Sequence, residues 1–303
     1  MNNEIVVIGS MNMDLVVETD KIPKKGETVL GNKFHQIPGG KGANQAMAAG
    51  KLGGNVSFIG ACGDDNFGDI LLSNLKKEGV NTKNIHRVKE NTGIASITVE
   101  TDGDNRIIVV PGANHSLTPK IITKHADIIK NASVLLLQLE IPINSVEKAI
   151  ELGDKFETTI ILDPAPAQKL NSEIYNKIDY LLPNEGELKN LLDNNNLNLN
   201  EKIDKLLELG VSNLILTKGK DGITVYNKNN TMNYSSLKVN TVDTTAAGDA
   251  FAGALAYSLQ RNWNEDKIYK FANKVAAISV TNLGAQSSLP TIKEVNSFSE
   301  KEV

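Results

Sequence analysis

The chain has one cysteine, Cys62. No internal disulfide can form, which suits a reducing cytoplasm, and Cys62 reads as a small buried thiol. No apolar run approaches the ~20 residues of a membrane-spanning helix. The N-terminus, "MNNEIVVIGS", lacks a basic flank and a long apolar stretch, so it reads as a strand and not as a signal peptide. Neither sign of charge is in excess: 32 Lys and Arg against 36 Asp and Glu leave a formal net charge of -4, mixed along the sequence. That argues against a nucleic-acid or membrane surface. The four histidines, His35, His86, His115 and His125, form no pair at metal-ligand spacing. No motif supports a Ser-His-Asp or Cys-His nucleophile. The first strand is not followed by Gly-x-Gly-x-x-Gly, and no Walker pattern ending in Gly-Lys-Ser/Thr occurs, so neither a dinucleotide site nor a P-loop is expected. Internal repeats are absent.

What is present is enough for a sizeable core: 303 residues, of which 40% are hydrophobic. Near-continuous apolar runs at 4–9, 56–60, 134–140, 159–164, 179–184 and 213–219 suit strands buried on both faces. Helix-like segments at 42–54, 67–79, 118–131, 184–192 and 201–210 lie between them, several with a cap at the start and Gly or Asn at the end. This alternation predicts an α/β fold with an open, mostly parallel sheet flanked by helices. Residues 11–40 and 92–112 break the rhythm. "SITVE" and "RIIVV" flank the turn "TDGDN", where Asp102-Gly103 favours positive φ, and read as a hairpin. The two regions predict a small, mostly antiparallel sheet, either a lid or an oligomer surface or both. The division is then 1–10, 41–91 and 113–303 for the large α/β domain, with 11–40 and 92–112 as a discontinuous lid. The Asn-rich stretch 191–202 reads as a solvated loop between helices.

Four stretches carry chemistry. In "TVDTTAAGDAF" (241–251) the strand-like "SSLKVNTV" meets the helix-like "DAFAGALAYSLQ". Ala246, Ala247 and Gly248 leave room for a ligand where free N–H groups and the helix dipole favour an anion. Asp249 beside such a cradle suits a general base that takes a proton from an attacking hydroxyl, or it merely occupies a favourable first turn. In "IPGGKGANQAMAAGKLG" (37–53) Gly39, Gly40 and Gly42 open a helix, with Lys41 and Asn44 as donors for a polyhydroxy ligand. In "LLPNEGE" (181–187) Asn184 and Glu187 share one helix face and either organise Mg²⁺ through water or form a helix cap. "TKGKDGI" (217–223) is a turn near a nucleotide or a plain hairpin turn. Glu140, at the carboxyl end of a buried strand, and Asp14, just after the first strand, are well placed for a ligand.

Together these stretches resemble the ribokinase family of carbohydrate kinases, also named after phosphofructokinase B, nearly end to end. "GGKGANQAMAAGKLGGNVSFIGACGDDNFGD" is similar to the family's N-terminal signature and "DTTAAGDAFAGAL" to its C-terminal one. "GSMNMD", "PGGKGANQA", "VVPGANHSL" and Ala in place of Gly at Ala246 are similar to its ribose-phosphorylating members. The resemblance implies ATP-dependent phosphorylation of D-ribose at the 5-hydroxyl, giving ribose 5-phosphate. Asp249 is then the base, and Ala246, Ala247 and Gly248 form the anion hole. Ribose falls to Asn12, Asp14, Gly40, Lys41, Asn44, Glu140 and Asp249, whose carboxylates and amides suit sugar hydroxyls. ATP falls to Asn184, to the turn Thr217, Lys218, Gly219, Lys220, Asp221 and Gly222, and to Gly248 and Asn273. Glu187 completes an Asn-x-x-Glu motif for Mg²⁺ and phosphate. A monovalent cation such as K⁺ would lie among Asp243, Thr245, Ser279, Asn282, Gly284 and Ser288. A homodimer through the lid sheets is also implied. Met13 departs from the pattern, being bulkier than the residue common in relatives. Other readings are a kinase for deoxyribose, fructose or a nucleoside, and, in a different class, a non-catalytic sugar-binding regulatory protein. The intact Asp249, anion hole and Asn184/Glu187 pair argue against the last.

Overall fold

A run such as "IVVI" offers no polar face, so it can only be buried from both sides. In the computed structural model, which describes residues 3–100, 104–192 and 196–298, this run is β1 (Ile5–Ile8), wholly buried as the third strand from one edge of a nine-stranded sheet. It pairs in parallel with β4 (Val56–Gly63) on one side and β8 (Val134–Leu137) on the other, with Ile5 opposite both Val56 and Val134. Beyond β4 lies β5 (Asn81–Val88). Beyond β8 come β9 (Thr159–Leu162), β10 (Tyr180–Leu181), β11 (Asn213–Thr217), β12 (Ile223–Tyr226) and β13 (Thr231–Tyr234), the last two antiparallel to their neighbours.

Alternation along β1 divides the core. Ile5 and Val7 pack with α1 (Lys41–Lys51), α2 (Asn66–Lys77), α8 (Ala247–Gln260), α9 (Glu265–Ser279) and α10 (Ile292–Ser297). Val6 and Ile8 pack with α3 (Pro119–Lys124), α4 (Ala126–Asn131), α5 (Ile143–Lys155), α6 (Glu185–Leu191) and α7 (Leu199–Glu208). After β1 the chain builds outward through β4 and β5, then returns to the other side at β8. The carboxyl ends of β1 and β8 therefore flank the point where strand order reverses, the place where open α/β sheets leave a crevice.

A second sheet has the order β3-β2-β6-β7. Its strands are β2 (Asn12–Thr19), β3 (Gly31–Gly39), β6 (Gly93–Glu100) and β7 (Asn105–Val110). Two of its pairings are antiparallel and one, β2 with β6, is parallel. The expected hairpin is β6–β7, and its Asp102-Gly103 turn lies outside the described residues. Part of the Asn-rich stretch, 193–195, lies outside them too.

Several elements differ from the sequence reading. "SSLKVNTV" is not a strand; the ladder ends at Tyr234, one residue earlier. Segment 118–131 is two short helices broken at His125, whose backbone serves both as the end of α3 and the start of α4. The strand expected at 179–184 is only two residues long. β5 escaped notice because "NTKNIHRV" is polar, as befits a sheet edge. Asp14, expected just after the first strand, is the third residue of β2 in the small sheet, as the assignment of 11–40 to that sheet implied. His86 on β5 and His125, 39 positions apart, meet Nε2 to Nε2 at 2.8 Å, although sequence spacing offered no histidine pair.

Candidate active site

Small residues explain why two helices meet over the crevice. A Cβ on Gly253 of α8 would lie 2.5 Å from the Ala48 side chain and 2.7 Å from the Gln45 carbonyl oxygen of α1. A Cβ on Gly42 would lie 2.7 Å from the backbone of Gly9 and Ser10 at the end of β1. Backbones thus approach more closely than any side chain would allow. The first turn of α1 is pressed against both the sheet's carboxyl edge and the first turn of α8.

That approach surrounds Asp249, which is buried, with amides. Asn44 Nδ2 donates to Asp249 Oδ2 at 2.9 Å, and Gln45 Nε2 donates to Asp249 Oδ1 at 3.0 Å. Gln45 Nε2 also donates to Asp163 Oδ2 at 2.7 Å, so one NH₂ group bridges two carboxylates. Gln138 Nε2 donates to Gln45 Oε1 at 2.6 Å, and Gln286 Nε2 donates to Asn44 Oδ1 at 3.0 Å. Gln45, Gln138, Asp163 and Gln286 were not singled out in the sequence. Asp163 was within reach of the rule that picked Glu140, since it directly follows β9 at the carboxyl end of the parallel sheet. The glutamines carry no such signal.

Four carboxylates surround Lys41. Burial lowers the tendency of its ammonium to stay charged, but Asp249, Asp163, Glu140 and Glu187 together more than reverse this and push its pKa above the usual lysine value. Burial, with a smaller push from Glu140 and Asp249, raises the Asp14 carboxyl to about 7. Asp163 also rises to about 7, chiefly through burial, although Lys41 opposes the shift. Glu140 accepts from Ser10 Oγ at 2.5 Å and from the Lys41 backbone N–H at 3.1 Å, tying the ends of β1 and β8 to α1. Asn12 Oδ1 accepts from Asn114 Nδ2 at 2.8 Å. A Cβ on Gly40 would lie 2.7 Å from the Asn12 backbone nitrogen, and one on Gly39 would lie 2.4 Å from the Asp14 carboxylate. Asn12, Asp14, Gly40, Lys41, Asn44, Glu140 and Asp249 are therefore brought close together, with Lys41 and Asp249 lining one cavity. Ser10 and Asn114, which hold two of them, were missed by sequence.

At the start of α8, Ala246 adopts the left-handed conformation, φ 60° and ψ 13°. Ala250 N–H donates to the Ala246 carbonyl at 2.8 Å and Ala247 N–H to the Thr244 carbonyl at 3.3 Å, which leaves the N–H groups of Ala246, Gly248 and Asp249 for another acceptor. A cavity of about 220 Å³ opens on this turn, lined by Lys41, Asp163, Asn184, Glu187, Gly248 and Asp249 among others. A second cavity of about 550 Å³ shares Thr217, Thr244, Ala247, Gly248 and Phe251 with the first. The turn residues Gly219, Lys220, Asp221 and Gly222 line the second cavity, as does Asn273, but Lys218 does not. The same turn joins antiparallel β11 and β12, so the hairpin reading of "TKGKDGI" holds. Asn273 Nδ2 donates to the Ser235 carbonyl at 2.8 Å. Asn184 and Glu187 form a reciprocal cap on α6, each backbone N–H donating to the other's side chain at 2.8 Å, and both also face the smaller cavity.

Asp243 lines neither cavity. Its Oδ1 accepts from Thr245 N–H at 2.9 Å and Oγ–H at 2.6 Å, and its Oδ2 accepts from Gly284 N–H at 2.9 Å. Burial acts to raise its pKa, but these bonds outweigh it and hold the carboxyl below the usual range. Ser279 is joined to the same loop through its carbonyl, which accepts from Asn282 N–H at 3.3 Å. Ser288 is buried with its hydroxyl turned to the Ala285 carbonyl. Among the described residues no group of three or more His, Cys, Asp or Glu could hold a metal ion, and no helix is long and apolar enough to cross a membrane.

The pfkB family carbohydrate kinase model matches residues 2–292. Ribokinase of Bacillus subtilis (strain 168) is 40% identical over 291 residues, spanning 96% of this chain and 97% of that one. The crystal structure of ribokinase from Thermotoga maritima superposes with a TM-score of 0.90 at 41% identity, over 96% of this chain and 97% of that one. Arabidopsis thaliana ribokinase complexed with ribose and ATP superposes with a TM-score of 0.90 at 31% identity, over 99% and 100% of the two chains. Fold, family model and near-complete coverage agree: this chain belongs to the pfkB family of carbohydrate kinases.

Proposed function

We propose that the chain transfers the γ-phosphoryl group of ATP to the 5-hydroxyl of D-ribose. The observation that carries this reading is the position of a buried carboxylate, Asp249, at the start of α8, beside the N–H groups of that helix. A sugar hydroxyl in the crevice of Asn12, Asp14, Gly40, Lys41, Asn44 and Glu140 loses its proton to Asp249 as its oxygen attacks phosphorus. Charge developing on the transferred group meets the first-turn N–H groups at Ala246, Ala247 and Gly248, where the helix dipole is positive. The 550 Å³ cavity behind that turn has the size and mixed lining for a nucleotide, and the Lys41 ammonium stands beside the path between the two sites.

Mg²⁺ fits the donor set at the smaller cavity. Glu187 spends one oxygen on the Asn184 N–H, and the rest of its acceptor capacity stays available to a hydrated cation near the phosphates. Such an ion would neutralise phosphate charge. K⁺ fits the loop of Asp243, Thr245, Ser279, Asn282, Gly284 and Ser288, where the Asp243 carboxylate accepts three bonds out of about four lone-pair sites. It would add positive charge behind the anion hole.

The small sheet acts as lid and dimer surface in this reading, with 11–40 and 92–112 as the lid domain. Strand β7 supports it: Ile107, Ile108, Val109 and Val110 are consecutive and each about half exposed or more, at 53, 68, 46 and 49%. A second copy of the chain would cover them. The whole proposal is tested by ADP release with ribose, deoxyribose, fructose and adenosine, with and without K⁺. Ribose with K⁺ should turn over fastest. No turnover on any of these acceptors would favour a sugar-binding protein without activity.

A further inference from the structure

Asp249 makes two side-chain hydrogen bonds, and both come from neighbours on α1. Neither neighbour stands alone. Asn44 is held through its oxygen by Gln286, whose own oxygen accepts from Asn74 Nδ2 at 2.5 Å, while its carbonyl accepts from Lys51 Nζ at 3.1 Å. Gln45, fully buried, is held through its oxygen by Gln138. Its NH₂ group has two hydrogens and two acceptors, Asp249 Oδ1 and Asp163 Oδ2, so the amide has no freedom to turn. Gly9 makes room for this arrangement, since a Cβ there would lie 1.9 Å from Gln138 Oε1.

We infer that Gln45 is a positioning residue for phosphoryl transfer: by bridging Asp163 and Asp249 it sets the rotamer of the Asp249 carboxylate toward the sugar hydroxyl. Gln286 has the same task on the other oxygen, acting through Asn44. The inference rests on Asp249 being the base. A carboxylate with two rotatable bonds needs such fixing, because a misplacement of about 1 Å at a reacting group can cost about 10²-fold in rate. Asp163 supplies the second anchor, and its place beside Lys41 at the end of β9 keeps that anchor rigid.

The test is steady-state kinetics with ribose between pH 5.5 and 9 for the unmodified chain, Gln45→Met, Gln286→Leu and Asp249→Asn. Gln45→Met keeps the side-chain volume and removes every hydrogen bond. It should lower kcat by about 10- to 10²-fold while KM for ribose stays within about threefold. A fall in kcat with KM held is a split that a role confined to packing would not produce. Gln286→Leu, which leaves the Gln45 bridge in place, should lower kcat by about threefold to tenfold. If Gln45→Met kept kcat within about twofold while Asp249→Asn was inactive, the positioning role would be wrong and the base would stand. Near-full turnover by Asp249→Asn would instead remove the base reading itself. Should circular dichroism find Gln45→Met unfolded, Gln286→Leu decides: unchanged kcat overturns the proposal, and a selective fall in kcat supports it.

Discussion

Asn44 Nδ2 lies 2.9 Å from Asp249 Oδ2, a bond between residues 205 positions apart that joins the first turn of α1 to the first turn of α8. Two short motifs at opposite ends of the chain thereby become one site. The charge around them sets what perturbation should do.

Lys41 is the cation that offsets Asp249, Asp163, Glu140 and Glu187. Lys41→Met should therefore lower the melting temperature more at pH 8 than at pH 6, since at the lower pH Asp163, its pKa raised to about 7, takes up a proton. Thermal melts at the two pH values measure this. An equal loss at both would mean that Lys41 does not balance them.

Asp163 has its pKa raised by burial from 3.8 to about 7. Between those values the folded chain binds more protons than the unfolded one, so the stabilisation is complete below about pH 4 and is lost as pH rises through 7. Asp163→Asn should flatten that decline. Urea denaturation at pH 5 and pH 7.5 tests it, and an unchanged slope would count against the shift.

Ala246 holds φ 60°, a conformation that costs an L-residue roughly 1–2 kcal/mol and a glycine little. Ala246→Gly relieves that strain but adds freedom to the unfolded chain, worth about 0.4–1 kcal/mol. The net expectation is a gain of between zero and about 1.6 kcal/mol in urea denaturation. A marked loss would show that the Ala246 methyl makes contacts worth more than its strain.

His86 and His125 share a short contact, and burial pulls both below the usual 6.5, helped at His125 by His86 and at both by Lys124. A depressed pKa gives stability that is present above pH 6.5 and lost as pH falls through the folded values. His86→Gln should make the drop in melting temperature from pH 7.5 to pH 5.5 smaller. Identical drops would place the acid sensitivity elsewhere.

How much of this was legible in the sequence differs by element. Buried parallel strands announced themselves because a strand covered on both faces has no polar residues to disguise it, as "IVVI" does not. The edge strand β5 was hidden because half its surroundings are water, and "NTKNIHRV" carries no pattern unlike a loop. Asp249, the small residues at the start of α8 and the glycines of α1 could be read locally, since a helix start and a close approach both leave short-range marks. Asn184 and Glu187 likewise satisfied the spacing of a cap, which is what the fold makes of them.

Sequence alone determined the α/β class, the family resemblance and the residues able to act as base, donor and cradle. Only the tertiary structure decided which of them meet. Gln45, Gln138, Asp163 and Gln286 are ordinary polar residues until the glycine-mediated approach of α1, α8 and β1 excludes water around them. A buried amide or carboxylate must then find its partner inside the protein. That partner lies across the fold, where no periodicity or spacing along the chain can point.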